Sequence, residues 1–230
     1  MSRATMTARA GQLPRAPIYG IARYEYGSEQ FDFEIGWPEF ERDTAWALER
    51  LTAAGLGAGD IAIVTAAACE LPWFSPIVRA MKALRITYLP AEVYPFDAGR
   101  SAAFLQQFPV KAFVGLGADT VAGWTEKGLS PRDLLGGVES VWARPSAIAL
   151  LSDVVAPIAP VFACGPALAM GSPGEPNAAV NEAEWRIDEE GGLLYVSNTA
   201  DRAATFDRVP TGLHGHVTEV DGRLLVELTY

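Results

Sequence analysis

Few residues in this chain combine a reactive type with a useful spacing. His214 and His216 are its two histidines. Two apart on a strand, both rings would turn to one side. With Glu219 or Asp221 they could begin a metal site, but a borrowed third ligand would be needed, so a solvent-facing edge strand is the reading adopted. Cys164 lies in an apolar, glycine-containing loop. A nucleophilic thiol needs a base and an electropositive setting, and no histidine is close in sequence, so burial is expected; Cys69, after Ala66 to Ala68, is expected in the core as well. Glu175, Glu182, Glu184 and Asp188 form an acidic cluster. General acid–base work needs carboxylates paired at a set distance, and a solvated acidic loop is the expectation. Gly115-Leu116-Gly117 follows an apolar run and could be a nucleotide-binding turn, yet it lacks the third glycine at the needed spacing; an ordinary strand-to-helix turn is expected. Trp73, Phe74, Tyr94 and Phe96 could line an apolar pocket at the carboxyl ends of parallel strands, where open α/β sheets bind ligands, or could simply pack the core. No catalytic residue and no metal site is assigned, and the cofactor stays unknown.

The elements that would position these residues centre on Gly55 to Pro90. A Gly-rich turn, Gly55 to Asp60, leads into an apolar run, Ile61 to Thr65. Phe74, Ile77, Val78 and Met81 then repeat at helical spacing, and a β-branched run, Ile86 to Leu89, closes at Pro90. Strand, helix, strand over about 30 residues is the βαβ unit of a parallel sheet. Ahead of it, Phe31, Phe33 and Ile35 alternate as in a strand. Phe40, Thr44, Ala47, Leu48 and Leu51 make one helical face, with Pro38 suited to its first turn and Gly55 to its stop. After it, Asp97 can cap a helix from about Ala98 to Phe108, with Phe104, Leu105 and Phe108 inward. Ala112 to Leu116 reads as a strand, Asp119 to Lys127 as a weaker helix, and Ser140 to Trp142 and Ile148 to Leu151 as strands broken at Pro145. Ala156 to Pro176 reads as a long loop or crossover. Short strands follow at Trp185–Ile187, Leu193–Ser197, Leu213–Glu219 and Leu224–Thr229, with a hairpin signal at Asp221-Gly222. The expectation is an α/β fold, a mainly parallel sheet flanked by helices, with a β-rich C-terminal subdomain. Its divisions are an N-terminal tail and lead-in strand over 1–36, an α/β domain over 37–155, and a loop plus β-rich subdomain over 156–230.

Bulk properties narrow the partners. The chain has 230 residues, half of them hydrophobic and a fifth charged, which is enough for a sizeable core and too apolar for disorder. A net charge of −10 argues against nucleic acid and anionic membranes, because phosphate binding needs clustered Lys and Arg. No window reaches the roughly 18 uninterrupted apolar residues of a membrane span. Met1 to Arg15 lacks the apolar stretch of a secretory signal and reads as a frayed tail. Two unbridged thiols fit a reducing compartment, and the expected location is cytoplasmic.

With the elements placed, the chain resembles the adenylate-forming superfamily, the acyl-CoA synthetases with their phenylacetate-CoA ligase-like branch. Leu51-Thr52-Ala53-Ala54-Gly55-Leu56-Gly57-Ala58-Gly59-Asp60, followed by Ile61 to Val64, is similar to that family's L-x-x-x-G-hydrophobic-x-x-G-D and strand. Lys111 to Val114 resembles its lysine-led strand, Gly192 to Val196 its G-x-L-x-V strand, and Arg208 to Gly212 its R-Y-x-T-G-D segment. The resemblance implies cofactor-binding positions at Gly165, which falls roughly where the family has an aromatic-Gly-x-Thr-Glu segment, and at Thr211 and Gly212. Other marks of the family are missing. No Ser/Thr/Gly-rich phosphate loop ending in Pro-Lys is present, and none of the three lysines, Lys82, Lys111 and Lys127, follows such a run. Leu213 stands where the family has a ribose-binding aspartate. Tyr230 falls before the family's mobile C-terminal lobe and its catalytic lysine.

The expectation is therefore an acyl-CoA synthetase-like protein without the ATP phosphate loop and lid. It would bind an acyl- or nucleotide-type ligand, or assist a partner enzyme, without adenylating. Two alternatives stand beside it: a structural or interaction subunit that forms homo- or hetero-oligomers through uncovered apolar surface, and an enzyme with remodelled transferase or hydrolase chemistry on Cys164 or the acidic loop.

Overall fold

The computed structural model describes residues 18–151, 157–220 and 222–229. Met1 to Arg15, the expected domain boundary at 155, Asp221 and Tyr230 lie outside the described residues.

The chain opens with an antiparallel hairpin, β1 (Ile18–Tyr26) and β2 (Glu29–Gly36). Helix α1 (Trp37–Ala53) follows without a break. Pro38 sits in its first turn, and Glu39 Oε1 accepts from Gly36 N at 2.6 Å, which satisfies one of the donors every helix start leaves open. Gly55, at φ +77°, stops it, with Gly55 N donating to Thr52 O and Leu56 N to Leu51 O. Then come β3 (Ile61–Thr65), α2 (Leu71–Ala83) and β4 (Thr87–Ala91), the expected βαβ unit. Next are α3 (Ala98–Gln107), β5 (Val110–Leu116), α4 (Ala118–Glu126), α5 (Pro131–Leu135), β6 (Ser140–Ala143) and α6 (Pro145–Leu151). The remainder is strands: β7 (Ile158–Cys164), β8 (Ala167–Gly171), β9 (Ala178–Ala179), β10 (Trp185–Glu190), β11 (Leu193–Asn198), β12 (Val209–Val220) and β13 (Arg223–Leu228).

One sheet carries eleven of these strands, in the order β10-β11-β12-β13-β9-β8-β7-β6-β5-β3-β4. Only the β4-β3-β5-β6-β7 end is parallel, with four parallel neighbour pairs against six antiparallel ones. The sheet is thus mixed and mostly antiparallel, which corrects the expected mainly parallel sheet. The reason is physical: helical crossovers allow parallel pairing only as far as β7, and beyond it no helix intervenes, with two-residue turns joining β7 to β8, β10 to β11 and β12 to β13 as antiparallel hairpins. β4, the parallel edge, tolerates Pro90 because an edge strand has a side with no ladder to complete.

Alternation along the strands splits the interior. Ala62, Val64, Ala112 and Val114 face a cluster that also holds α1, α2 and the N-terminal hairpin. Ile63, Phe113 and Leu116 face a second cluster with Ala102 of α3, Trp124 of α4 and Leu151 of α6. The first cluster continues through Cys164, Met170, Leu194 and Val226, so the parallel and antiparallel halves share one apolar core.

Several local expectations differ from the structure: Phe108, expected inward on α3, lies just past its end and is exposed. Ile148 to Leu151 is helical: Pro145 opens α6 at a position where its missing N–H costs nothing, and four apolar residues alone cannot separate strand from helix. Within Ala156 to Pro176, read as a long loop or crossover, β7 and β8 form a hairpin closed by Gly165-Pro166, and residues 172–176 are irregular. Asp97 precedes α3 but gives it no side-chain cap; its Oδ2 accepts from Glu92 N at 2.8 Å. Cys69 is exposed, on a short 3₁₀ turn (Ala68–Glu70), while Cys164 is buried.

Candidate functional site

β3 lies between β4 and β5, and the chain reaches its two neighbours by helices on opposite faces. Such a reversal opens a crevice at the carboxyl ends of the strands. Here that crevice is braced by an arginine. Arg144, just past β6, donates through Nε to Gly115 O at 2.9 Å and through a terminal nitrogen to Thr65 O at 3.1 Å. It also pairs with Glu70, whose Oε2 lies 2.9 Å from the guanidinium and 2.7 Å from Ala67 N. Thr65 Oγ1 donates to Gly115 O at 2.6 Å. Gly115 has φ +87°, and a Cβ there would stand 2.3 Å from Thr65 O, so only glycine permits this approach. The Gly115-Leu116-Gly117 turn is therefore filled by protein groups.

A cavity of about 470 Å³ opens beside this brace and runs along α2 next to edge strand β4. Its walls are mainly apolar: Tyr19 of β1, Phe40 of α1, Phe74 and Val78 of α2, and Val64 and Ala91 at the strand ends. Tyr19 stacks on Phe40 at 4.0 Å, and Trp37, half exposed, meets Tyr19 edge-on at 5.1 Å. Two cations stand at the walls. Arg79 lies over the Phe40 ring at 5.2 Å and pairs with Glu41 at 2.6 Å. Lys82 lies over the Tyr88 ring at 5.3 Å and has no carboxylate partner among the described residues. An enclosure of this size, apolar with one free cation, suits an amphiphile with an anionic head.

Of the four aromatics singled out from sequence, Phe74 lines this cavity. Trp73 packs elsewhere, its Nε1 donating to Pro166 O at 3.1 Å. Tyr94 and Phe96 are exposed and stack on each other at 5.5 Å. The cations were missed, although Ser75, Val78, Arg79 and Lys82 repeat at i, i+3, i+4, i+7 on α2.

Gly165, Thr211 and Gly212 do come together. A Cβ on Gly165 would be 3.6 Å from Thr211 Cγ2 and 3.6 Å from the Tyr24 ring. Thr211 Oγ1 donates to Leu194 O at 2.9 Å and accepts from Leu213 N at 3.2 Å. Gly212, φ +80°, marks an irregularity in the β11–β12 pairing and lies against Glu25 O and Tyr26. The three residues thus sit under β1. Nearby, burial pushes the Cys164 thiol up to about 12, partly offset by its hydrogen bond with the Thr211 side chain. Burial, with a smaller contribution from Cys164, also pushes Tyr24 up to about 12, and the Tyr24 hydroxyl has no hydrogen-bond partner among the described residues. A thiol so hard to ionise is no nucleophile.

The remaining candidates separate. His214 and His216 are exposed on β12, with His216 Nδ1 3.2 Å from Glu189 Oε1; β12 pairs with β11 as far as His214 and with β13 from Gly215 onward. Among the described residues no cluster of His, Cys, Asp and Glu could hold a metal. Glu184 leaves the acidic cluster altogether. It is 2% exposed and binds Arg42 at 2.5 Å and Arg202 at 2.5 Å. Arg202 also grips Asp43 of α1 at 2.8 Å and covers the Trp185 ring at 4.3 Å. Burial raises Asp43 above the usual carboxylate range, and its bond to Arg202 offsets this in part.

No known protein family matches the chain by sequence, and no curated protein does. Solved structures do match. A 2-hydroxyisobutyryl-CoA ligase in the postadenylation state aligns with TM-score 0.68 and 13% identity over 97% of this chain and 54% of its own. The "putative long-chain-fatty-acid CoA ligase" of Rhodopseudomonas palustris aligns with TM-score 0.61 and 12% identity over 95% of this chain and 61% of its own. O-succinylbenzoate coenzyme A synthetase from Bacillus subtilis, unliganded, aligns with TM-score 0.58 and 11% identity over 92% and 51%. At these identities the likeness is one of fold: the chain folds like part of an adenylate-forming acyl-CoA ligase, as the sequence resemblance led us to expect. It spans about half the length of the ligases it matches. Among the described residues no helix is long and apolar enough to cross a membrane.

Proposed function

We propose that this chain binds a hydrophobic carboxylate in the cavity along α2, without adenylating it. The observation that carries this reading is the pairing of an apolar, 470 Å³ enclosure with Lys82, a cation left without a carboxylate partner. The alkyl part would lie against Phe40, Phe74 and Val78, and the carboxylate would meet Lys82. The matched ligases include one bound to an acyl adenylate and coenzyme A, which supports an acyl-type ligand for this fold.

Adenylation is left out of this reading because no Ser/Thr/Gly-rich loop ending in Pro-Lys stands in the sequence. Lys111 Nζ is held by Gly55 O at 2.9 Å and Asp60 at 3.1 Å. Gly165, Thr211 and Gly212 remain our proposed contact for a nucleotide portion. Tyr24 and Tyr26 roof them, so entry there would require β1 to lift.

Isothermal titration with octanoate and octanol tests the proposal. Octanoate should bind and octanol should bind more weakly. Lys82→Ala should weaken octanoate by about tenfold, the worth of one charge-assisted contact, and leave octanol unchanged. Equal affinities in the wild-type protein would remove the carboxylate from the reading. Pyrophosphate exchange with ATP and octanoate should stay at background.

A second reading has its own observation. Trp37 and Leu71, 43% and 51% exposed, sit on the rim of the same cavity. Uncovered apolar surface of this kind suits a partner subunit, and light scattering that shows a homodimer would favour it.

A further inference from the structure

The cavity along α2 lies beside a strand edge that the structure leaves open. β4 ends the sheet, and among the described residues no strand lies beyond it. Thr87 N donates to Asp60 O at 2.9 Å and Ala91 O accepts from Ala66 N at 3.4 Å, so Thr87, Leu89 and Ala91 turn their main chain to β3. Alternation along the strand then turns Tyr88 and Pro90 outward. Proline has no N–H, so one donor faces out, Tyr88 N–H, with two acceptors, the carbonyls of Tyr88 and Pro90. Neither residue is sealed: Tyr88 is half-buried, Pro90 is exposed, and both line the cavity. Proteins commonly guard such edges with charge. β10, the other edge, carries four charged side chains in six residues, Arg186, Asp188, Glu189 and Glu190. β4 carries none in five. Pro90 alone blunts it, and that leaves Tyr88 able to exchange two hydrogen bonds.

The groups follow one direction. α2 is the crossover between the parallel strands β3 and β4, so it runs back against them. Its last turn brings Lys82 Nζ to 5.3 Å from the centre of the Tyr88 ring, near the start of β4. Its first turns bring Leu71 and Phe74 to the wall shared with Ala91, at the end of β4. The free cation therefore stands beside the open main chain. The apolar end lies about 10 Å further along, at about 3.3 Å per strand residue.

We infer that the hydrophobic carboxylate of this cavity is an N-acyl amino acid, an inference that rests on the carboxylate reading above and adds an amide to it. Laid antiparallel to β4, its single residue exchanges both bonds with Tyr88. The amide N–H donates to Tyr88 O. One carboxylate oxygen accepts from Tyr88 N–H, and the other meets Lys82. The acyl chain then runs past Pro90 toward Ala91, Leu71 and Phe74. A plain fatty acid would leave Tyr88 O without a donor.

Calorimetric titration of the whole chain with N-octanoylglycine and its ester isostere, O-octanoylglycolate, tests this, because the pair differs by one N–H. The amide is expected to bind about fivefold more tightly, the worth of one hydrogen bond. Tyr88→Ala and Tyr88→Pro both remove the ring, and only the second removes the N–H. N-octanoylglycine should bind Tyr88→Pro about tenfold more weakly than Tyr88→Ala, since the lost bond goes to a charged acceptor. The outward N–H takes no part in the ladder to β3, and the ligand pair needs no variant at all. N-acetyl-Leu-Leu-Gly offers the same acylamido carboxylate without an alkyl chain and should bind more weakly than N-octanoylglycine. Tighter binding would name a peptide C-terminus and overturn the acyl assignment. Equal affinities for amide and ester, with octanoate still bound through Lys82, would overturn this inference and leave the carboxylate reading in place. No binding of octanoate would remove that reading, and this one with it.

Discussion

Replacing Glu184 by Gln removes a charge where α1 meets the start of β10. Glu184 is 2% exposed and Arg202 5%, so neither can be rescued by water. Three contacts go through the carboxylate: Arg42 Nε at 2.5 Å, the Arg42 terminal nitrogen at 3.0 Å and Arg202 at 2.5 Å. Arg202 would keep only Asp43, at 2.8 Å, and its stacking on Trp185. Breaking a buried pair costs about 3–5 kcal/mol, because the remaining charge stays buried. Arg42 is 39% exposed and can turn to solvent, so the low end, about 3 kcal/mol, is the expectation. For a chain of this size that is roughly a 6–12 °C fall in melting temperature. Thermal and urea unfolding followed by circular dichroism would read it. A loss under about 1 kcal/mol would show that this cluster does not hold α1 to the strands after β9, and the reasoning would fail.

Three further outcomes follow from particular contacts. Gly115→Ala should cost about 3 kcal/mol or more, from a left-handed backbone and a Cβ 2.3 Å from Thr65 O; unfolding midpoints check it. Ellman's reagent should titrate one thiol, Cys69, in the native protein at pH 8 and a second, Cys164, only after denaturation, since burial holds that thiol near 12. The hydrogen bond from Gly57 N, with Lys111, lowers Asp60 below the usual carboxylate range. Its stabilisation is therefore present at neutral pH and lost as pH falls through the lowered value. Asp60→Asn should cost about 0.5–1 kcal/mol at pH 7, and the difference from wild type should vanish in acid unfolding titrations.

What could be read in the sequence was local. Phe74, Ile77, Val78 and Met81 fixed α2, and Gly55 and Pro38 fixed the two ends of α1, because periodicity and backbone stereochemistry act within a few residues. What could not be read was long-range. Glu184 meets Arg42 from 142 residues away, and no spacing rule connects them, so a buried clamp looked like a solvated acid. The antiparallel run of the C-terminal strands was legible from their turns, but that they continue the parallel strands in one sheet depends on pairing order, which composition does not encode, and the Pro- and Gly-rich stretch around Gly165 concealed a hairpin. Phe74 was found in its cavity, but Lys82 was passed over because a lone lysine on a helix is usually solvated. Its significance comes from the apolar walls brought around it by α1 and β1.

The central claim is that the cavity along α2 holds an acyl chain with its carboxylate at Lys82. A crystal structure of the protein grown with decanoate tests it most directly. The account predicts an alkyl chain against Phe74 and Val78 and a carboxylate oxygen within ion-pair distance of Lys82 Nζ. A vacant cavity, with decanoate bound elsewhere or its head turned away from Lys82, would contradict it.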